Sequence, residues 1–244
     1  MPTLRDAALA SAFDHAARTY DTLVSANPGY HAHLRRSARR LGLPAQGRGL
    51  RVLDLGCGTG ASTAALLSVL PDAEITAVDA SAGMLERAEA KRWPSSVTFV
   101  HTPAERLGAA GIGSGPVGGF DAVFAAYLFR NTADPDRVLT SVRDVLAPGG
   151  RVAVHEYTLS GKHRHRAVWS AVCAGLLPVT TALGDGALYR HLWRSVIEFD
   201  TVTHFSRRLT AAGFTRVRAL PLPGWQTGIT HTVVGQVPQE RTRG

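Results

Sequence analysis

Arg51-Val52-Leu53-Asp54-Leu55-Gly56-Cys57-Gly58-Thr59-Gly60 decides the fold of this chain. Val52 to Leu55 reads as a short buried strand, and it runs into glycines at alternate positions. Glycine lets a backbone turn tightly and pass close to a ligand, because no Cβ stands in the way. Ala61 to Leu70 follows, rich in Ala and Leu, and reads as a helix. Nineteen residues after Gly60, Asp79 closes a second strand-like run, Glu74-Ile75-Thr76-Ala77-Val78. An acid there can accept hydrogen bonds from both hydroxyls of a ribose. Strand, glycine turn, helix, strand and acid make a nucleoside-binding βαβ unit.

The glycine spacing narrows the nucleoside. Dinucleotide folds use G-x-G-x-x-G, which seats a pyrophosphate on a helix N-terminus. Here the order is G-x-G-x-G with Asp54 in front. A carboxylate beside the turn suits a ligand with a cationic amino group rather than a diphosphate. Asp54-x-Gly56-x-Gly58-x-Gly60 resembles the first motif of class I S-adenosylmethionine-dependent methyltransferases. The resemblance implies a Rossmann-like α/β fold with a seven-stranded, mostly parallel sheet and helices on both faces. It implies S-adenosyl-L-methionine as cofactor and S-adenosyl-L-homocysteine as product. Gly56, Gly58 and Gly60 would then approach the methionine part, Asp54 would order its amino group, and Asp79 would bind the ribose. Ala80 and Met84 would contact adenine or ribose.

The 244 residues suit one domain with a small appendage, and 45% hydrophobic content is enough for a sizeable core. No apolar run reaches the length of a membrane span, and Met1 to Ala12 lacks the pattern of a signal peptide. The two cysteines are Cys57, inside the glycine turn, and Cys173. A structural disulfide is not expected, a cytoplasmic location fits, and two distant cysteines argue against a zinc site. The formal net charge is +8, from 27 basic and 19 acidic residues. It reads first as solvation, second as attraction to a membrane surface and third as RNA binding. No aromatic-interleaved basic motif of a nucleic-acid module is present.

Residues 1–48 read as an N-terminal helical cap. Phe13, Ala17 and Tyr20 share a face of Ala7 to Tyr20, and Leu34, Ala38 and Leu41 share a side of Tyr30 to Leu41. Residues 49–244 read as the main domain. Its expected strands are Arg51 to Leu55, Ile75 to Asp79, Val97 to His101, Phe120 to Ala125 and Arg151 to Tyr157. Helices are expected over Ser62 to Leu70, Ala82 to Lys91 (capped by Ser81) and Asp134 to Leu146, the last stopped by Pro148-Gly149-Gly150. Gly108 to Gly119 reads as a flexible loop. A helical insertion is expected over 160–205, then a helix from Thr201 to Ala212 and strands Thr215 to Leu220 and Thr230 to Gln236. Regular βα alternation gives a parallel sheet, with ligands beyond the carboxyl ends of its strands.

Further segments tighten the resemblance: Phe13-x-x-x-Ala17-x-x-Tyr20-Asp21, Phe129-Arg130-Asn131, Leu146-Ala147-Pro148-Gly149-Gly150-Arg151, His155-Glu156-Tyr157 and Tyr189-Arg190-His191-Leu192. With Ala211-Ala212-Gly213-Phe214, their order resembles the ubiquinone/menaquinone C-methyltransferase family. That family implies methyl transfer to a small aromatic, phenolic or quinol acceptor, at carbon. Ala104 and Glu105 fall in its adenine-contacting third motif. Pro103 stands where the family usually has a polar residue, and proline offers no N–H. Adenine contact is therefore expected from backbone or from a neighbour.

Arg130 and Asn131, just past the fourth strand, are the candidate catalytic residues. Arginine stays charged and is no base, but it can stabilise a phenolate directly or through a water. Asn131 can hold a substrate oxygen. The bland reading pairs Arg130 with a surface carboxylate and has Asn131 cap the next helix. His155 is a candidate base at the end of the fifth strand, unless it only bonds within the domain. Tyr20 and Tyr189 are read as closing over cofactor and substrate or as core packing, and His191 and Trp193 as pocket lining on the same terms. The arginines of Tyr30 to Leu41 read as a solvated face before a lipid contact, and Lys162 to Arg166 as an exposed loop. An O- or N-methyltransferase of secondary metabolism, an RNA methyltransferase and a cofactor-binding protein without turnover remain alternatives. Peripheral membrane contact and a homodimer stay open.

Overall fold

The computed structural model describes residues 29–113, 119–182 and 186–239. The expected helix Ala7 to Tyr20 lies outside them, and with it Phe13, Ala17, Tyr20 and Asp21.

The first described helix, α1, spans Tyr30–Arg39. Tyr30, Leu34, Ala38 and Leu41 recur at helical spacing and are buried in one core cluster. Arg35, Arg36 and Arg39 face solvent. Arg40 departs from the solvated-face expectation, because its guanidinium donates to the carbonyls of Leu220 (2.8 Å) and Pro221 (2.8 Å). It thereby ties α1 to the far edge of the sheet.

Seven strands follow: β1 Arg51–Leu55, β2 Glu74–Asp79, β3 Val97–His101, β4 Phe120–Ala126, β5 Leu146–Tyr157, β6 Thr215–Pro221 and β7 Thr230–Gln236. Their order is β3-β2-β1-β4-β5-β7-β6. The first five pair in parallel, and β7 runs antiparallel between β5 and β6. Helices α2 Ala61–Leu67, α3 Ala82–Glu89 and α4 Pro135–Val145 link the parallel strands. Helices α5 His163–Ala182 and α6 Gly186–Glu198 lie between β5 and α7, which spans Val202–Ala211.

Side chains alternate across the sheet with the period of two that a strand imposes. Val52, Phe124 and Ala153 enter the core beneath α1 and α2, while Leu53, Val123 and Val154 enter the core shared with α4 and α7. The Ser81 cap matches its sequence signal, its hydroxyl accepting from Met84 N, and the Asp134 carboxylate, read from sequence as the start of the helix itself, caps α4 by accepting from Arg137 N. Two expectations need correction. β5 begins at Leu146, not Arg151, because Leu146 pairs with Phe120 before the register shifts to Arg151 opposite Ala122. His163 to Arg166 is the first turn of α5 rather than a loop, although Arg164 and Arg166 are exposed as expected.

Candidate active site

The chain steps outward from β1 to β2 and β3, then returns with β4 on the other side of β1. The carboxyl ends of β1 and β4 therefore diverge into a crevice, the usual ligand site of an open α/β sheet. A cavity of about 740 Å³ opens there. Gly56, Gly58, Asp79, Ala80, Met84 and Ala104 line it, as do Glu105, Arg130 and Asn131. Asp54, Gly60 and His155 are not on its wall.

The glycine turn is pinned to β2, because Gly56 N and Cys57 N both donate to the Val78 carbonyl, at 2.8 and 3.0 Å. Gly56, Gly58 and Gly60 have φ of 76°, 54° and 91°, in the left-handed region that favours glycine. Their surroundings differ. A Cβ on Gly58 would meet nothing within 4 Å, so its backbone edge is open to a ligand. A Cβ on Gly60 would lie 2.7 Å from the Trp93 ring, so Gly60 starts α2 beneath an indole instead of facing the cavity.

Asp79 braces this turn. Its Oδ2 accepts from Gly58 N at 2.7 Å and its Oδ1 from Ser81 N at 2.9 Å. Burial raises its pKa, while the N–H groups of Ser81, Gly58 and Ala80 oppose the rise. Asp54 lies deeper and is fully buried. Ser62 and Thr63 hydroxyls donate to its Oδ2, at 2.8 and 2.6 Å, and its Oδ1 has no partner. Burial, with the Asp79 charge adding to it, pushes Asp54 up to about 7 against those hydroxyls. An unmatched buried acceptor beside a second carboxylate favours a cation in the turn. That donor set fits a ligand with an ammonium group and a ribose, as the sequence implied.

The opposite wall begins where β4 ends. Tyr127 has a φ of 57°, a strained backbone for a non-glycine residue and a frequent mark of a functional turn. The bend turns the Tyr127 carbonyl towards Arg130 Nη1 and Asn131 Nδ2, both of which donate to it at 2.9 Å. Arg130 Nη1 also meets Glu156 Oε1 at 2.7 Å, with the guanidinium 5.4 and 5.5 Å from the Tyr127 and Tyr157 ring centres. Glu156 is fully buried, so the ion pair is sealed from water on that side. Burial raises Glu156, and the Arg130 charge opposes it.

Neither bland reading fits this wall. The carboxylate partner of Arg130 is buried rather than on the surface, and Asp134 rather than Asn131 caps α4. Asn131 Oδ1 instead accepts from His191 Nε2 on α6, at 3.1 Å. Since the Asn131 amide nitrogen donates to Tyr127, its oxygen needs a donor, which fixes the proton on His191 Nε2. Burial, then the Arg130 charge, lower His191 to about 4, so it is neutral near pH 7. Trp193 faces α5, not the cavity, and donates to Ser170 Oγ at 3.3 Å.

His155 corrects the sequence expectation of a base. It is fully buried, and both ring nitrogens are engaged, Nδ1 with Ser37 Oγ at 2.7 Å and Nε2 with the Tyr127 hydroxyl at 2.8 Å. The chain continues to Arg40 at the end of α1 and Thr232 of β7. Arg40 only donates, and Thr232 Oγ1 accepts from it at 2.8 Å. Thr232 Oγ1 lies 2.7 Å from Ser37 Oγ, which completes the chain to His155 Nδ1. With one nitrogen bonded to Ser37 and the other to Tyr127, His155 has no free nitrogen in either tautomer to act as a base on a substrate.

Burial, followed by the charges of His33, Arg40 and Arg130, lowers His155 to about 3. An unfolded histidine titrates near 6.5. Between those values the unfolded chain binds a proton that the native chain refuses. The stabilisation is complete above pH ~6.5 and is lost as pH falls towards His155's folded value. Urea midpoints should therefore drop from neutral pH to about pH 4.5, and His155→Gln should flatten the decline. A slope unchanged in that variant would place the titration elsewhere.

The sequence reading missed two features of this site. In the sequence Glu156 stands out only as part of His155-Glu156-Tyr157, although it anchors Arg130 from 26 residues away. The turn at Tyr127 carries no glycine or asparagine to announce a left-handed backbone. No group of three or more His, Cys, Asp or Glu among the described residues could hold a metal.

A family model described as the ubiE/COQ5 methyltransferase family matches residues 1–233. The chain belongs to that family. This methyltransferase is 33% identical over 206 residues to a demethylmenaquinone methyltransferase of Thermus thermophilus, covering 83% of this chain and 90% of the relative. It is 30% identical over 217 residues to a ubiquinone/menaquinone biosynthesis C-methyltransferase, UbiE, of Syntrophotalea carbinolica, covering 87% and 88% of the two chains. A solved S-adenosylmethionine-dependent methyltransferase of Thermotoga maritima aligns with a TM-score of 0.61 at 18% identity, over 93% of this chain and 99% of that one. Human N-acetylserotonin methyltransferase in complex with S-adenosylmethionine aligns with a TM-score of 0.58 at 15% identity, over 94% of this chain and 57% of that one. The fold is that of class I methyltransferases, and the enzyme is S-adenosylmethionine-dependent.

Proposed function

We propose that this methyltransferase alkylates a ring carbon of a quinol, the reduced hydroxyaromatic form of a quinone. The observation that carries the reading is Arg130, a guanidinium held on the cavity wall by buried Glu156 and two aromatic faces. The names of the Thermus thermophilus and Syntrophotalea carbinolica relatives, which refer to menaquinone and ubiquinone, support it.

The cofactor roles are assigned on the same footing. Gly56 and Gly58 hold the methionine part, Asp54 helps order its ammonium from behind the turn, and Asp79 binds the ribose. Gly60 contributes by starting α2. Ala80, Met84, Ala104 and Glu105 flank the adenine, with Pro103 giving only apolar contact. Bound there, S-adenosylmethionine supplies a methyl group already activated by positive sulfur.

The chain's remaining task is to make a ring carbon nucleophilic. A phenol of pKa about 10 is roughly 0.1% ionised at neutral pH. A cation beside it lowers that pKa by about 1–3 units and raises the phenolate fraction about ten- to five-hundredfold. Arg130 does this directly or through a water, and Asn131 orients the acceptor oxygen. Tyr189 covers the acceptor from α6. Tyr20 lies outside the described residues.

The test is incubation with demethylmenaquinol and S-adenosylmethionine carrying a ¹³C methyl. A product signal in the aryl-methyl region is expected. A methoxy signal, or transfer only to amines or non-quinol phenols, would overturn the assignment to carbon and to quinols.

A further inference from the structure

Among the described residues, three large apolar side chains are exposed: Val168, Leu176 and Trp225. They are not scattered. Val168 and Leu176 are on α5. Trp225 belongs to the turn Gly224–Gln226, and a Cβ on Gly228, just beyond it, would overlap the His165 ring. Gly228, three residues after Trp225, therefore rests on the first turn of α5, at a residue three positions before Val168.

The rest of the α5 surface is equally apolar. From Ala167 to Pro178 every exposed position holds Ala, Val, Gly, Leu or Pro, and no charged residue occurs from Ala167 to Ala182. A helix lying against a soluble domain normally turns charge outward, as α1 does with Arg35, Arg36 and Arg39. On α5 the inward side is already occupied, with Trp169 and Cys173 buried and Trp169 Nε1 donating to the Trp193 carbonyl of α6 at 3.3 Å. The outward stripe has no function in that packing.

Cations border the stripe. Lys162, Arg164 and Arg166 are exposed at its start, and Arg190 and Arg194 are exposed on the adjoining α6. The sequence over residues 160–198 has only two acids, Asp185 and Glu198. No described helix is long and apolar enough to cross a membrane.

We propose that the outer face of α5, with Trp225, is a docking surface for an anionic lipid bilayer. An apolar stripe with a basic border and a flanking tryptophan is the composition of a helix that lies in the head-group boundary. Val168, Leu176 and Trp225 enter the acyl edge, while Lys162, Arg164 and Arg166 meet lipid phosphates. Charge complementarity favours lipid over a second copy, because a two-fold pairing at the basic end would set like charges together. The proposal stands apart from the acceptor's identity, since docking is read without acceptor or methyl transfer.

The experiment is co-sedimentation of the full chain with vesicles of equimolar phosphatidylglycerol and phosphatidylcholine, and with phosphatidylcholine alone. Binding to the anionic vesicles, weakened by salt, is expected. Each basic side chain near such a surface contributes about fivefold, so Arg164→Gln with Arg166→Gln should weaken partitioning roughly 25-fold. Leu176→Asp should remove binding to either vesicle, and Trp225→Phe should remove most of the quenching of tryptophan emission by brominated lipid. S-adenosylmethionine binding, remote from α5, should be unchanged in each variant and reports correct folding. No binding to anionic vesicles overturns the proposal, as does binding that survives both the arginine and the leucine substitutions. A dimer in solution that Leu176→Asp dissociates would assign the face to a second copy instead.

Discussion

Asp79→Ala is expected to weaken binding of S-adenosylmethionine and S-adenosylhomocysteine by about 100-fold or more, read by calorimetric titration. Two losses combine. The ribose hydroxyls lose their acceptor, and the glycine turn loses the carboxylate that holds Gly58 N and Ser81 N. Asp79→Asn separates them, because the amide oxygen can still accept from Gly58 while its nitrogen cannot accept from Ser81 or from a hydroxyl. An intermediate loss is expected there. Removing Asp79 also removes one of the causes that raise Asp54, so Asp54 should ionise at lower pH in the alanine variant. Unchanged affinity in both variants would exclude Asp79 from the cofactor site.

The second large effect concerns Arg130. Arg130→Ala leaves Glu156 buried without its partner and should cost about 3–5 kcal/mol of stability, measured by urea unfolding at neutral pH. The variant should recover part of this loss as pH falls, because a protonated Glu156 no longer buries a charge. This is opposite in sign to the acid destabilisation expected from His155. The double variant Arg130→Met with Glu156→Leu removes the ion pair as a unit and should regain most of the stability. Its methyl transfer should stay about 100- to 1,000-fold below the parent, at near-normal cofactor affinity, because the phenolate has lost its cation. A double variant that is both stable and active would reduce Arg130 to a structural residue.

Much of this protein is legible along the chain. Strands Arg51–Leu55, Val97–His101 and Thr230–Gln236 follow their sequence expectation to the residue, and others differ by a residue or a few. These segments are short apolar runs bounded by glycine, proline or polar residues, so their limits are set by neighbours in sequence. The same holds for the Ser81 cap, where side chain and N–H are three residues apart. Pro148-Gly149-Gly150 signals a stop, so the sequence places the start of β5 too late. Pairing of Leu146 with Phe120 overrides that local signal.

Charged and polar side chains were harder to read. On a helical wheel Arg40 belongs with Arg36 and Arg39, yet it reaches carbonyls 180 residues away on the last antiparallel hairpin. His155 at a strand end has the chemistry of a base. Only the packing of α1 on the sheet, which brings Ser37 to its Nδ1, shows that both of its nitrogens are occupied. Gly60 belongs to the motif by spacing, but Trp93 covers it and leaves Gly58 as the open edge.

By itself, then, the sequence determined the βαβ unit, the glycine turn with its acid, the family resemblance and the cofactor those imply. All rest on local periodicity and fixed short spacings, which survive without knowledge of distant contacts. The tertiary structure alone decided the pairing of Arg130 with Glu156, the withdrawal of His155 from the site and the apolar outer face of α5. Each of these depends on which remote side chains exclude water from a group or leave it exposed, and burial of that kind arises only when the chain has folded.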